Sequence, residues 1–213
     1  MRISGEPLPG AVILFDGTTK MMTDWHHRDG SPATWPVSEG VLTVGRGDIF
    51  SNEFFRDAYI HLEFRVPDMP HAKGQAKGNS GVYVQGRYEI QVLDSYGVNV
   101  PGKGDCGAVY DQFAPLVNAC LPPMEWQTYD IIFRAARVGE WGEVVEPARL
   151  TVLQNGIVIH NNVTVKGPTG GAMDHDVGAP GPLRLQDHGN PVQYRNIWIV
   201  HLPLEGSPYY DPR

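Results

Sequence analysis

Charge is scarce in this 213-residue chain, and positive charge is scarcer still. Asp and Glu number 24 against 17 Lys and Arg, a formal charge of −7 with only 19% of residues charged. Nucleic-acid binding rests on Lys and Arg neutralising phosphates, so this balance argues against a nucleic-acid partner. Cysteine is nearly absent, with only Cys106 and Cys120. There is no CxxC, which leaves a cysteine-built zinc site without support. The two cysteines form either one disulfide or two free thiols. No apolar run approaches the length of a membrane-spanning helix. The opening Met1-Arg2-Ile3-Ser4-Gly5-Glu6-Pro7 has no apolar signal core. The expected location is therefore cytoplasmic, or periplasmic or extracellular if a leader was removed. Apolar residues spaced three and four apart over several turns are also missing, so helices are not expected.

What is present is β-structure and its punctuation. Gly 25 and Pro 18 together exceed a fifth of the residues, natural for a chain with many turns. Short strand-like runs fall at about 11–15, 35–44, 58–66, 80–85, 87–93, 128–135, 149–154, 157–160, 183–186 and 192–201. Asn155-Gly156, between Leu150–Leu153 and Ile157–Ile159, carries the signature of a type I′ hairpin. Gly and Pro crowd residues 67–79, 97–104 and 167–182, which read as long loops of the kind that carry function. With no repeat and no linker, residues 1–213 form one domain, an all-β sandwich of two antiparallel sheets.

Three distant runs place polar groups on alternate residues: His61–Val66, Glu89–Val92 and Leu183–His188. Period two sends successive side chains to opposite faces of a sheet. If these strands are neighbours, Ile60, Leu62, Phe64, Ile90, Val92, Leu183 and Leu185 fill the core. His61, Glu63, Arg65, Glu89, Gln91, Arg184, Gln186 and His188 then share one concave polar face. Glu89 reads as general acid or base, with a register-keeping carboxylate as the bland alternative. Glu63 opposite it would supply a second carboxyl, and Arg65 and Arg184 would steady developing negative charge. His188, where a strand gives way to a glycine turn, is the histidine candidate for proton transfer, with Asp187 as an orienting group. Gln91, Gln186 and His61 are expected to bind substrate, together with Asp94, Tyr110 and Trp126. Trp126 is equally a core aromatic. A metal set of His61, His188, Glu63 and Glu89, or of His175 with Asp174 and Asp176, has no recognised motif spacing.

Several segments resemble a known family in fixed order. They are Leu14-Phe15-Asp16-Gly17, Trp35 with Glu39-Gly40-Val41-Leu42, Phe64-Arg65, Asn79-Ser80-Gly81-Val82 and Tyr88–Asp94. Gly107–Tyr110, Glu125-Trp126-Gln127, Asn155-Gly156, Leu185–Gly189 and Tyr194–Ile197 complete the series. The chain is similar to the 3-keto-disaccharide hydrolase domain family. That resemblance implies a concanavalin A-like jelly roll, often with structural calcium, and a carbohydrate substrate oxidised to a ketone at C3. Many members are exported from bacteria. A C3 ketone acidifies the C2 hydrogen, so the implied chemistry is β-elimination by one base and one acid, with or without water addition. Two other readings stand beside it. One is a laminarinase-like hydrolase, whose acid motif is only partly matched by Glu89-Ile90-Gln91-Val92-Leu93-Asp94. The other is a non-catalytic lectin-like module.

Overall fold

The computed structural model describes residues 5–204. Fifteen strands are found among these residues. In chain order they are β1 (Val12–Phe15), β2 (Trp25–His26), β3 (Val37–Ser38), β4 (Val41–Thr43), β5 (Ile49–Phe55), β6 (Ala58–Arg65), β7 (Ser80–Val84) and β8 (Tyr88–Val92). There follow β9 (Gln127–Arg134), β10 (Arg137–Val138), β11 (Val144–Glu146), β12 (Arg149–Gln154), β13 (Ile157–Thr164), β14 (Gly181–Leu185) and β15 (Gln193–His201). Two short 3-10 turns, at Thr19–Asp24 and Gly74–Ala76, are the helical elements among the described residues.

The strands pair antiparallel into two packed sheets of jelly-roll type. The larger has the order β13-β12-β9-β6-β15-β4-β3, with β1 also on β15; the smaller has the order β2-β5-β14-β7-β8. β10 and β11 form a separate ribbon. The alternation read from sequence is what makes the two sheets adhere. Ile60, Leu62 and Phe64 of β6 and Tyr129, Ile131 and Phe133 of β9 join one cluster with Val82, Val84, Ile90, Val92, Leu183 and Leu185 of the smaller sheet. Each such side chain taken out of water contributes roughly 1.5–3 kcal/mol before chain entropy is set against it.

One expectation fails here. β6 belongs to the larger sheet, whereas β8 and β14 belong to the smaller. Since all three aim their apolar residues at the common core, their polar residues point away on opposite sides of the sandwich. The neighbour of β14 that sequence reading lacked is β5. Its polar triplet Ser51-Asn52-Glu53 breaks the period-two pattern. Ser51 is buried, its hydroxyl accepting the Leu183 N–H at 3.0 Å where the β5–β14 register shifts.

On the outer face of the larger sheet most polar groups pair with one another, although Asp130 Oδ2 is buried without a partner. His61 Nδ1 lies 2.8 Å from Asp130 Oδ1, which also accepts from the Tyr59 hydroxyl at 2.7 Å. The His61 ring stacks on Trp198 with centroids 4.9 Å apart. Arg195 pairs with Glu63 at 2.6 Å. A register shift between Arg195 and Trp198, with Asn196 at φ 49°, turns Arg195 outward while Tyr194 and Ile197 stay in the core.

The Asn155-Gly156 hairpin joins β12 and β13 with φ of 54° and 78°. Asn155 Oδ1 also accepts the Thr128 N–H at 3.0 Å, tying the turn to β9. Gly156→Ala puts a Cβ into left-handed backbone at a cost of about 1–2 kcal/mol. Thermal denaturation should show a midpoint lowered by roughly 2–8 °C; an unchanged midpoint contradicts the turn assignment.

Candidate active site

On the outer face of the smaller sheet is a cavity of about 200 Å³ lined by Gln75, Asn79, Tyr83, Glu89, Gln91, Tyr110, Gly170, Gly171, Gln186 and His188. Ligand pockets usually run to roughly 300–1,000 Å³, so this one suits a single sugar ring better than a chain of them. A wider groove of about 540 Å³ between residues 96–101 and 116–120 has no carboxylate in its lining.

The floor is built by the β7–β8 hairpin. Register places Tyr83 opposite Glu89 and Gly81 opposite Gln91. Val82 and Val84 face the core, so Gly81 and Tyr83 must face the cavity side. Glu89 is only 3% exposed. Its Oε2 accepts from the Tyr83 hydroxyl at 2.8 Å. Gln186 Nε2 donates to the Tyr83 oxygen at 3.3 Å, so Gln186, Tyr83 and Glu89 form one chain of hydrogen bonds. Burial pushes the Glu89 carboxyl up to about 7, although the Tyr83 hydroxyl and the Arg184 charge both act to lower it; Asp48 adds to the rise. A carboxyl balanced between its two states near neutrality suits proton transfer.

Arg184 lies behind the cavity instead of in it. Its guanidinium stacks 4.1 Å from the Tyr83 ring centre, pairs with Asp48 at 2.6 Å and donates to the Gly171 carbonyl. It fixes Tyr83 and the 169–173 loop, and it is absent from the cavity lining. Thr169 holds that loop from the other end, its hydroxyl accepting the Glu89 N–H at 2.9 Å. The free edge of β8 is covered by residues 107–110: Gly107 N–H donates to Gln91 O at 2.9 Å and Tyr110 N–H to Glu89 O at 3.1 Å. That strip brings Tyr110 to the cavity wall.

The remaining lining is rich in acceptors. Gln91 Nε2 lies 2.9 Å from Gln75 Oε1, and with the Gln91 amide turned its nitrogen reaches Glu89 Oε1 at 3.3 Å. Asn79, 1% exposed, donates to the Gln75 carbonyl at 2.7 Å but leaves its own Oδ1 without a partner. Gln186 Oε1 is likewise buried and unpaired. Unfilled buried acceptors call for a ligand that donates hydrogen bonds, and a polyhydroxylated sugar does so.

Of the residues expected from sequence, Glu89, Gln91, Gln186, His188 and Tyr110 do converge. His188 sits exposed on the rim. Asp187 does not orient it, for its carboxylate accepts the Gly47 and Gly189 N–H groups, each at 2.8 Å. His61, Glu63, Arg65 and Trp126 lie on the larger sheet, away from this cavity, and Trp126 is clasped there between Arg65 at 4.8 Å and Arg195 at 4.0 Å. The reason is the sheet assignment of β6. Asp94, just past β8, is buried and paired with Lys77 at 2.8 Å. It braces the loop carrying Gln75. A metal held jointly by His61, Glu63, Glu89 and His188 is ruled out by the same division, and Asp174 is engaged by Arg87 at 2.6 Å. No group of three or more His, Cys, Asp or Glu side chains converges among the described residues.

Tyr83, Gln75, Asn79, the 169–171 loop and Asp48 were not recognised as site residues. For Tyr83 the signal was present: Val82 and Val84 alternate with Gly81 and Tyr83, and a short hairpin links this strand to Glu89. The others reach the site from loops, where no periodicity exists to read.

Fold and site together define a carbohydrate-active enzyme of the β-sandwich type. The chain belongs to the 3-keto-alpha-glucoside-1,2-lyase-like domain family, whose profile matches residues 10–200. A Parabacteroides distasonis ATCC 8503 protein assigned provisionally to the glycosyl hydrolases is 39% identical, with a TM-score of 0.83 over 91% of this chain and 84% of that one. A second protein from that organism, with the same provisional assignment, is 20% identical, with a TM-score of 0.67 over 91% and 94% of the two chains. The alginate lyase Aly36B, as a mutant with bound alginate trisaccharide, shares the fold at 10% identity and a TM-score of 0.52, over 92% and 100%. No curated protein matches the chain.

Two outcomes follow from the buried carboxyl. A Cβ on Gly81 would lie 2.5 Å from Glu89 Oε1 and 3.0 Å from the Tyr83 ring. Gly81→Ala must therefore displace Glu89 and should destabilise by about 1–3 kcal/mol, read by denaturant titration; a neutral substitution contradicts the packing. Glu89 has its folded-state value raised from 4.5 to about 7, so the folded protein binds the extra proton between those values and loses stability as pH rises through them. Glu89→Gln should remove this loss. Its thermal midpoint should gain on the parent's from pH 5 to pH 8, and a constant difference across that range contradicts the raised value.

Proposed function

We propose that the protein cleaves the glycosidic bond of a 3-keto-glycoside by β-elimination across C1 and C2. The observation that carries this reading is Glu89, buried beneath a cavity the size of one sugar, held by Tyr83 and poised near neutral pH. In the ionised form Glu89 removes the C2 proton, and the C2–H electron pair passes into the C3 carbonyl as an enolate. Collapse of that enolate breaks the C1–O bond and leaves a C1=C2 double bond conjugated with the ketone. His188, on the rim, gives a proton to the departing oxygen. Water adding at C1 would convert elimination into net hydrolysis.

The enolate oxygen needs hydrogen-bond donors, and neither arginine expected for that task lines the cavity. The Tyr110 hydroxyl and the Gln91 amide remain to meet it. Tyr83, its ionisation suppressed by burial and by Glu89, keeps its proton and fixes the second oxygen of the base. Elimination also explains why one carboxylate suffices. A two-carboxylate glucanase mechanism needs a partner for Glu89, and no other Asp or Glu lines this cavity among the described residues. The family description, a 1,2-lyase, names a cleavage across the same two carbons.

The test is a time course with a 3-keto-disaccharide and its unoxidised parent. Only the keto form should be cleaved, deuterium at C2 should slow cleavage, and kcat should rise with pH through about 7 as Glu89 ionises, then fall once His188 has lost the proton it must donate. Glu89→Gln should lower kcat by roughly 10²–10⁴, whereas Glu63→Gln on the other sheet should leave it unchanged. Equal cleavage of both sugars, or full activity in Glu89→Gln, contradicts the proposal.

A further inference from the structure

The two cysteines are separated in sequence but meet at one side chain. Gln154, fully buried on β12, directs its Nε2 at both sulfurs, 3.6 Å from Cys106 Sγ and 3.5 Å from Cys120 Sγ. Cys106 is buried and touches the Tyr129 hydroxyl at 3.2 Å. Cys120 is partly exposed and lines the groove of about 540 Å³ between residues 96–101 and 116–120, which gives a reagent a path to its sulfur. Both thiols are free in this structure.

We propose that Cys106 and Cys120 are joined in a reversible intramolecular disulfide that locks the strip covering the edge of β8. The order of events follows from access. A small-molecule disulfide enters the groove, and the Cys120 thiol, losing its proton to solvent, attacks one of its sulfurs and expels one thiolate. Cys106 Sγ, also giving up a proton, attacks the mixed disulfide at Cys120 and expels the second. Two protein thiols are oxidised, one small disulfide is reduced to two thiols, and the protein loses two hydrogens.

The surroundings of Cys106 favour the second step. Burial opposes ionisation of Cys106, but hydrogen bonds from Cys120, Tyr129 and Gln154 outweigh it and hold that thiol below its usual value. The hydrogen bond to Cys106, together with burial, pushes Cys120 up, so the first attack depends on the access that the groove gives its sulfur. What the bond would hold is equally specific. Immediately after Cys106, Gly107 donates to Gln91 O and accepts from the His160 ring at 2.7 Å. Tyr110 follows, on the cavity wall. At the far end, Asn155 Nδ2 donates to Ala119 O at 2.8 Å, anchoring the segment to the β12–β13 turn. Oxidation therefore cross-links a loop whose two ends are already held.

This inference does not depend on the reaction proposed for the cavity. The purified protein is equilibrated with mixtures of oxidised and reduced glutathione, quenched with acid, and its thiols are alkylated after unfolding. Under oxidising mixtures the mass should fall by about 2 Da with no alkylation, and a peptide spanning both cysteines should be cross-linked. The oxidised form should melt roughly 6–12 °C above the reduced form, the gain expected for a loop of this size. In Cys120→Ser the gain should vanish while the reduced forms melt alike. Complete double alkylation after oxidation, glutathione retained on Cys120 as the final product, or a bond only between two chains would each overturn the proposal.

Discussion

A carboxyl group held out of water in the middle of a sheet face is the constraint around which this molecule is arranged. Glu89 has a hydroxyl on one oxygen, a turned amide within reach of the other, and a glycine opposite its neighbour so that it has somewhere to lie. Desolvation alone would keep it protonated. The Tyr83 hydroxyl and the Arg184 charge pull it back toward ionisation, and the balance falls near neutrality. Each of these helpers is itself held: Arg184 by Asp48 and Gly171, Tyr83 by the β7–β8 register, and β8 by the strip 107–110 along its edge. A group this exposed to changes in its surroundings needs rigid surroundings, and strands supply them more reliably than loops.

The two outer faces of the sandwich make an instructive contrast. Both carry alternating polar residues, and both contain carboxylate, arginine, histidine and aromatic groups. On the larger sheet the principal groups are matched to one another, His61 to Asp130, Glu63 to Arg195 and Trp126 between two guanidinium groups, although Asp130 Oδ2 is left buried and unpaired. On the smaller sheet Asn79 and Gln186 each leave a buried oxygen unpaired beside a carboxyl of raised pKa. The smaller face differs in lining a cavity with a buried carboxyl of raised pKa beside unpaired acceptors, and residue type alone does not reveal it.

This is also where sequence reading reaches its limit. Period-two alternation correctly divides core from surface in β6, β8 and β14, because burial dictates that pattern within each strand. It says nothing about which sheet a strand joins. β5 had to be known for that, and its Ser51-Asn52-Glu53 interruption, stabilised by the Ser51 hydroxyl in the ladder, hid it. The Asn155-Gly156 turn was legible because it depends on local backbone geometry, whereas strand parity alone left Arg195 either buried or flipped outward. Gln75, Thr169 and Gly171 were not, since loops are ordered by tertiary contacts that leave no period behind.

The measurement that bears most directly on this account is a carbon-detected titration of the glutamate side chains in isotope-labelled protein, with Glu89→Gln for assignment. The account predicts one carboxyl titrating near pH 7 and missing from the variant. If every glutamate titrates near its ordinary value of about 4.3, Glu89 is solvated, and the reading of this face as an acid–base site is wrong.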